Sequence, residues 1–276
     1  MSVPDRSGGD PSIGTASSGL DPASTRGLGV EIVVVLALSL GRSAVYSVLN
    51  LIEKLTRPEA LSSQTTSMNS SITPDRPWLD LSYQLAQILF GVAPAALAVY
   101  LLLFRAGPML WGRSPFAALG LDLRRPGFDL SRGAVLLAVI GIPGIGIYLG
   151  ARALGLNTTI AAANLAENWW TIPVLVLAAL EASLLEEIVI AGYFLIRLTQ
   201  LGWSWWQMVL LSALIRGSYH LYQGVGQGIA NFLMGLVFGL LFLRWKRVGP
   251  LIVVHLLLDV FSFVGYALLA PVVDWL

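Results

Sequence analysis

Two glutamates and two histidines are conspicuous in a chain of mostly apolar stretches. Glu186 and Glu187 are adjacent within the apolar run from about residue 171 to residue 198, and the chain has no histidine besides His220 and His255. A glutamate in a low-dielectric pocket can act as a general base near neutral pH, and a histidine can share a water molecule with it. A second histidine, on another helix, can donate a proton to the oxyanion of a tetrahedral intermediate. These residue types indicate hydrolysis with water as the nucleophile.

A charged residue lies one helical turn from each histidine. Arg216 lies four residues before His220, and Asp259 lies four residues after His255. Residues at this spacing share one face of a helix. Ionisable side chains of an apolar helix bundle face inward and satisfy one another. We therefore predict that these four side chains and the two glutamates line one wet pocket inside the membrane.

The apolar run that carries the glutamate pair also contains a third carboxylate, Glu181. An ionised carboxylate at mid-bilayer costs about 2.5–3.5 kcal/mol, so a helix with three must be surrounded by protein. Successive residues of an α-helix lie about 100° apart. We therefore expect Glu186 and Glu187 to face different partners.

Composition places the chain among multi-pass membrane proteins. Of its 276 residues, 56% are hydrophobic and 12% are charged, and the mean hydropathy is +0.74. Soluble domains carry about 25% charged residues. The net charge of +1 gives no reason to expect a nucleic acid as partner. Because the chain has no cysteine, disulfides, thiolate nucleophiles and cysteine metal sites are excluded.

The hydropathy pattern predicts an all-α transmembrane bundle of about seven spans. Residues 1–28 are rich in Gly, Ser and Pro and are expected to form a disordered cytoplasmic tail. Residues 29–154 are expected to hold three spans with their loops, and residues 171–270 a core bundle of four. The predicted spans cover about 28–52, 81–104, 133–154, 171–198, 207–223, 228–244 and 250–270.

The distribution of Lys and Arg predicts the orientation of these spans in the membrane, and the small residues predict how the spans pack. Most of the 17 Lys and Arg residues, Arg197 among them, fall in segments that are cytoplasmic when the N-terminus is inside. Lys54 is predicted to lie in an exposed loop, residues 53–80, on the opposite side of the membrane. We therefore expect a cell-membrane protein with a cytoplasmic N-terminus. Small residues at spacing four in the sixth span, and several glycines in the third, predict close helix packing.

Three segments of the C-terminal half resemble the motifs of the CAAX protease and bacteriocin-processing family. This family, also called CPBP or Abi, includes the type II CAAX prenyl endopeptidases. Its motifs are EExxxR, FxxxH and HxxxN or HxxxD, in that order on three transmembrane helices. The matching segments are EEIVIA at 186–191, RGSYH at 216–220 and HLLLD at 255–259. The resemblance covers about residues 171–270.

The resemblance implies an all-helical intramembrane protease of the glutamate type. Glu186 together with His220 would activate the attacking water, while His255 and Asp259 would stabilise the oxyanion. Glu187 would be a supporting carboxylate. Characterised eukaryotic members of the family cleave the C-terminal tripeptide from prenylated proteins. Bacterial relatives are linked to peptide processing and bacteriocin immunity, and a bacterial source is expected for this chain.

Two positions depart from the family motifs. The motif arginine after the glutamate pair is replaced by Ala191, and the aromatic residue before the first histidine is replaced by Arg216. We hypothesise that one change compensates for the other, with Arg216 pairing with Glu187 or Glu186. Because an ionised carboxylate repels an oxyanion, Asp259 must either be protonated or serve only to orient a histidine.

Three functions follow from these residues. The first is a metal-independent intramembrane endopeptidase that needs no cofactor. The second keeps the fold but uses Zn²⁺, held by the two histidines and the two glutamates with an open position for water. The third is a catalytically inactive immunity or scaffold protein. The expected partners are membrane lipids and a membrane-associated peptide or protein substrate, whereas the pattern gives neither the substrate nor the oligomeric state.

Overall fold

A computed structural model describes residues 22–104 and 114–270, and in these ranges the regular secondary structure is helical apart from two short strands. The prediction of an all-α membrane bundle is confirmed. Residues 1–21 of the predicted tail (residues 1–28) lie outside the described residues. The rest of that segment, from Pro22 onward, belongs to α1. The elements are, in chain order, α1 (Pro22–Ala37), α2 (Leu40–Leu55), β1 (Thr65–Ser67), α3 (Pro77–Gly91), α4 (Ala93–Phe104), α5 (Pro115–Leu119), α6 (Pro126–Ala153), β2 (Thr159–Ala161), α7 (Thr171–Glu186), a π-helix (Glu187–Phe194), α8 (Leu195–Gln200), α9 (Trp205–Tyr219), α10 (Val225–Trp245) and α11 (Gly249–Leu269).

Fewer helices than predicted are long and apolar enough to cross a membrane. Four qualify within the described residues, and α1 with α2, bent by 52°, forms a fifth if the pair counts as one span. The predicted count of seven is therefore not confirmed. The predicted fifth span is α9, whose 15 residues fall short of the roughly 20 that a bilayer requires. The four spans are Pro77–Leu103, Pro126–Ala153, Val225–Trp245 and Gly249–Leu269.

The acidic helix lies at the centre of the bundle, as predicted. It is helical from Thr171 to Gln200, and all eight residues of its π-helical segment are buried. Val189, Tyr193 and Leu195 are completely shielded from solvent in the main hydrophobic core. This segment is surrounded by protein and can bear ionisable residues that lipid would not tolerate.

Small residues bring α9 and α10 into close contact. A Cβ added at Gly217 of α9 would lie 2.8 Å from the carbonyl oxygen of Gly228 on α10. A Cβ added at Gly235 would lie 2.8 Å from the Cα of Ala213. Only glycine permits such an approach of two backbones. The close packing predicted for the sixth span is confirmed.

The same prediction is wrong for most of the glycine-rich third span, α6. Among residues 22–104 and 114–270, no heavy atom of another element lies within 4 Å of a Cβ built at Gly144, Gly146 or Gly150. Ile142 and Ile145 of this segment are 71% and 62% exposed. This stretch of α6 therefore lies at the outer surface of the bundle, where lipid surrounds it.

Arg197 is buried, although its position predicted a cytoplasmic surface. Its side chain is 0% exposed and donates through Nε to Glu31 Oε1 of α1 at 2.8 Å. Two further N–H groups reach Gln200 Oε1 at 2.8 Å and the Leu101 carbonyl at 2.9 Å. Tyr193 also donates to Glu31, at 2.9 Å. Arg197, which lies at the end of a predicted span, therefore connects α8 to α1 and α4 through these hydrogen bonds.

A small cap covers the end of the bundle beside the His220 segment. Strands β1 and β2 pair in parallel, with Thr65 opposite Thr159. Lys54, which the sequence placed in an exposed loop, is buried and donates to Thr66 Oγ1 and, at 2.7 Å, to the carbonyl oxygen of Tyr222. The prediction for Lys54 is wrong because its ammonium group satisfies backbone and hydroxyl oxygens that the loops leave free.

Candidate active site

Glu187 is the centre of the polar cluster. Its side chain is 0% exposed, and its Oε1 atom accepts hydrogen bonds from Arg216 Nη2 and from His255 Nδ1, the latter at 2.7 Å. Because a carboxylate only accepts hydrogen bonds when ionised, the Nδ1 atom of His255 carries the proton. Glu187 therefore fixes side chains from α9 and α11 at once.

Glu186 is the carboxylate of the pair that reaches accessible space. It is the last residue of α7, and its side chain is 11% exposed. Its Oε2 atom accepts from the Tyr219 hydroxyl at 2.7 Å and lies 3.3 Å from Arg216 Nη1. A carboxylate held on one side and accessible on the other suits a general base.

The expectation that the two glutamates face different partners is wrong, because both contact the guanidinium of Arg216. Two features explain this. The fork of a guanidinium presents several N–H groups and spans two acceptors. The chain also changes from α- to π-helix between Glu186 and Glu187, which alters the angle between successive side chains. Short π segments occur often at functional sites.

The pairing hypothesised for Arg216 is present in the structure. Its side chain is 1% exposed and contacts both glutamates. The residue at the position of the motif arginine, Ala191, is buried within the π-helix. The cation that is missing at position 191 is thus supplied by Arg216 of α9.

The imidazole of His255 lies among three carboxylates. Its Nδ1 faces Glu187, while its Nε2 lies 3.4 Å from Asp259 Oδ2 and 4.0 Å from Glu186 Oε2. Asp259 is one helical turn from His255 on α11, and its side chain is 22% exposed. This geometry matches the orienting role that was one of the two possibilities for Asp259.

His220 lies beside the cluster, and its ring is hydrogen-bonded to Arg216 and not to Glu186. It caps the C-terminal end of α9, and its Nδ1 lies 3.0 Å from the backbone oxygen of Arg216. A carbonyl oxygen only accepts, so Nδ1 donates, and in the neutral form of the ring the lone pair lies on Nε2. The ring packs against Tyr219, with centroids 4.7 Å apart.

One residue at the site escaped prediction. The ring of Tyr219 packs against His220, and its hydroxyl donates to Glu186 Oε2 at 2.7 Å. Its spacing of three from Arg216 on a helix was the signal available in the sequence.

Glu181, the third acid of the helix, faces a different space. It lines a polar cavity of about 350 Å³ together with Asn69 and Gln84. Its carboxylate lies over Gly91 of α3, where an added Cβ would be 2.2 Å from Oε1. Glu181 therefore does not join the glutamate pair at Arg216.

The site also offers ligands for a metal ion. One atom each from Glu186, Glu187 and His255 lie within 4.8 Å of one another, a group found within residues 22–104 and 114–270. His220 does not belong to that group. Arg216 places a positive charge against both carboxylates. A cation would compete there with the guanidinium.

The C-terminal half of the chain matches a known family. Residues 168–261, about a third of the chain, match the family described as type II CAAX prenyl endopeptidase Rce1-like. No curated protein and no solved structure matches the chain. The resemblance inferred from the three motifs is confirmed over this segment, which contains all six predicted site residues, namely Glu186, Glu187, Arg216, His220, His255 and Asp259.

Proposed function

With residues 168–261 matched to the Rce1-like type II CAAX prenyl endopeptidases, we propose that this multi-pass membrane protein hydrolyses peptide bonds within the membrane. The observation that carries the proposal is the position of Glu186. It is held by Tyr219 and Arg216 through one oxygen, lies 4.0 Å from His255 Nε2 and remains accessible.

In the proposed reaction, Glu186 accepts a proton from a water molecule as the water oxygen attacks the carbonyl carbon of the scissile bond. The new C–O bond forms as the carbonyl π bond breaks, which leaves an oxyanion. When the oxyanion collapses, the C–N bond breaks and the leaving nitrogen takes the proton from Glu186. The free Nε2 lone pair of His220 is suited to orient the water.

The other cluster residues position these groups. Glu187 holds His255 through Nδ1 and leaves Nε2 directed toward Glu186 and Asp259. In the proposed reaction His255 is an imidazolium, protonated at both ring nitrogens, and its N–H at Nε2 is the donor that an oxyanion requires. The contact of Asp259 with this ring, at 3.4 Å, supports an orienting role in preference to direct contact with the oxyanion.

We propose that the reaction does not use a metal ion. The support is Arg216, whose guanidinium already places a positive charge against both Glu186 and Glu187. The competing zinc mechanism is supported by the ligand group of Glu186, Glu187 and His255. Metal analysis of the purified protein, with cleavage measured before and after a chelator, separates the two. Stoichiometric zinc together with loss of cleavage on chelation would favour the zinc mechanism.

The experiment that tests the activity compares the peptides of membranes from cells that make the intact protein and the Glu186→Ala variant. Peptides that accumulate only with the intact protein identify its products. The same peptides in both samples would support an inactive immunity or scaffold protein. The observation that favours this alternative is the replacement of the motif arginine by Ala191, which is buried.

We further propose a cytoplasmic N-terminus and a membrane-associated peptide or protein as substrate. Support for the orientation comes from the distribution of Lys and Arg. Because the chain has no cysteine, single cysteines placed at the exposed positions Ser114 and Glu59 report the two faces by labelling with a membrane-impermeant reagent. Labelling of intact cells at Glu59 alone is the expected result, and labelling at Ser114 alone would reverse the orientation.

A further inference from the structure

A basic pocket lies at the end of the bundle opposite the cap. Its cavity has a volume of about 290 Å³. Four cationic residues and one acidic residue contribute to its lining, together with an alanine and a tryptophan. The lining residues are Ala117, Asp122, Arg124, Arg125, Trp245, Lys246 and Arg247.

The floor of the pocket is rigid. The guanidinium of Arg247 donates to Asp129 through Nε at 2.8 Å and Nη2 at 2.6 Å, and to Asp122 through Nη1 at 2.9 Å. Although burial opposes ionisation, the hydrogen bonds from Arg247 and Arg124 hold the pKa of the Asp122 carboxyl below its usual range. Gly120, at φ +62°, allows this contact, because a Cβ there would lie 2.5 Å from Arg247. The loop after α5 is thereby fastened to the turn between α10 and α11.

Arg247 is therefore occupied, and the charge available to a ligand comes from the rim. The Arg124 side chain is 78% exposed and lies only 3.6 Å from Asp122. Arg125 and Lys246 are exposed, and no hydrogen bond or ion pair of either side chain is recorded with the described residues. The rim thus carries cationic groups that the surrounding structure leaves for another partner.

The pocket lies where three apolar spans end. Pro126 begins one span, Trp245 ends a second, and Gly249 begins a third. Tryptophan at a span end is typical of the membrane–water interface. Leu123, between Asp122 and Arg124, is 92% exposed, which suits insertion into lipid. The cationic rim is thus at the depth of the phospholipid headgroups.

We propose that this pocket binds a phosphate-bearing anion, the headgroup of an anionic phospholipid. Basic pockets between transmembrane helices bind such headgroups, and arginine matches the geometry of phosphate oxygens. The N-termini of α6 and α11, which both begin at this end, add favourable dipoles for an anion. The binding is independent of Glu186 and of the proposed hydrolysis.

The test measures binding of phosphatidylglycerol and phosphatidylcholine to the purified full-length protein by native mass spectrometry. The variant Arg125→Gln with Lys246→Asn removes two rim charges, and asparagine suits the left-handed backbone of residue 246, at φ +54°. Each basic residue near an anionic surface contributes roughly a five-fold factor, so we expect roughly 25-fold weaker binding of phosphatidylglycerol. The single variant Lys246→Asn, expected to weaken binding about five-fold, keeps the test valid if the double variant does not fold.

The matched control is Arg57→Gln with Arg76→Gln, which removes two exposed charges at the cap end and should leave binding unchanged. Equal binding of the two lipids, or equal binding of phosphatidylglycerol by the wild type and both rim variants, would overturn the proposal. If inorganic phosphate displaces phosphatidylglycerol at equal concentration, the source of the anion is a soluble phosphate compound and the assignment to lipid is overturned.

Discussion

Arg216 and Glu187 form an ion pair inside the helix bundle, with side chains only 1% and 0% exposed. Removing one partner of a buried pair costs about 3–5 kcal/mol, because the other charge stays buried without a counter-ion. We expect Arg216→Ala to lower the free energy of unfolding by about this amount. Thermal unfolding of the detergent-purified protein measures it.

The control for this prediction removes both charges. Arg216→Met with Glu187→Leu removes both charges of this pair, so part of the lost stability should return, although Glu186 still loses its contact with the guanidinium. Activity should not return, because His255 loses the acceptor of its Nδ1 proton. A double variant as unstable as Arg216→Ala would show that the guanidinium stabilises the fold through other contacts.

The adjacent glutamates should respond differently to the same substitution. Glu187 is fully buried between Arg216 and His255, so Glu187→Gln should lower the unfolding temperature and reduce activity. Glu186 is partly accessible, so Glu186→Gln should abolish cleavage and leave the unfolding temperature within a few degrees of the wild type. Similar unfolding temperatures for the two variants would contradict the separate roles.

Tyr219 is expected to position Glu186 through the hydroxyl contact at 2.7 Å. A hydrogen bond to a charged group contributes about 1.5–3 kcal/mol. Tyr219→Phe should therefore slow the cleavage of a peptide substrate, designed from the cleavage site that the products identify, by roughly 10- to 100-fold, while the fold stays intact. The pH profile of the rate should also shift, since the hydroxyl no longer contacts the base. A rate and a profile equal to those of the wild type would remove Tyr219 from the site.

Close packing of α9 on α10 should make Gly217 intolerant of larger residues. A Cβ there would lie 2.8 Å from the Gly228 carbonyl oxygen, a backbone atom that cannot rotate away. Gly217→Val should destabilise the protein by about 1–3 kcal/mol, since overpacking forces backbone shifts. Gly265→Val on α11 is the matched control, because in the part of the chain that the structure describes no heavy atom of another element lies within 4 Å of its added Cβ. Equal unfolding temperatures for the two variants would contradict this account of the packing.

The meeting of the site residues could be predicted because membrane burial constrains ionisable groups. Glu186, Glu187, Arg216, His255 and Asp259 lie on three helices, and in lipid such groups must find one another. The sequence also suggested the pairing of Arg216, because the arginine expected at position 191 is absent and an arginine stands at position 216 instead.

Other features of the site depend on geometry that no local pattern carries. The π-helix begins at Glu187, and nothing in an apolar run distinguishes i+4 from i+5 hydrogen bonding. Tyr219 is amphipathic and suits either an interface or a core. The roles of these residues in catalysis stay predictions.

The fold departs from prediction where distant segments meet. Arg197 pairs with Glu31, 166 positions away, and Lys54 donates to Tyr222, 168 positions away. Hydropathy could not show that these charges are buried, because each lies near the end of an apolar run, where charges are ordinarily solvated. The short helix α9 was predicted as a span because the apolar run around it is long enough, whereas the helix itself has only 15 residues.

Water activated by Glu186 is the central claim, and incorporation of oxygen-18 tests it directly. Membranes that contain the wild type or the Glu186→Gln variant are incubated in oxygen-18 water, and the peptides released are analysed by mass spectrometry. The account predicts that new C-termini carry oxygen-18 with the wild type and that these peptides are absent with Glu186→Gln. The same labelled peptides from both membranes, in equal amounts, would contradict it.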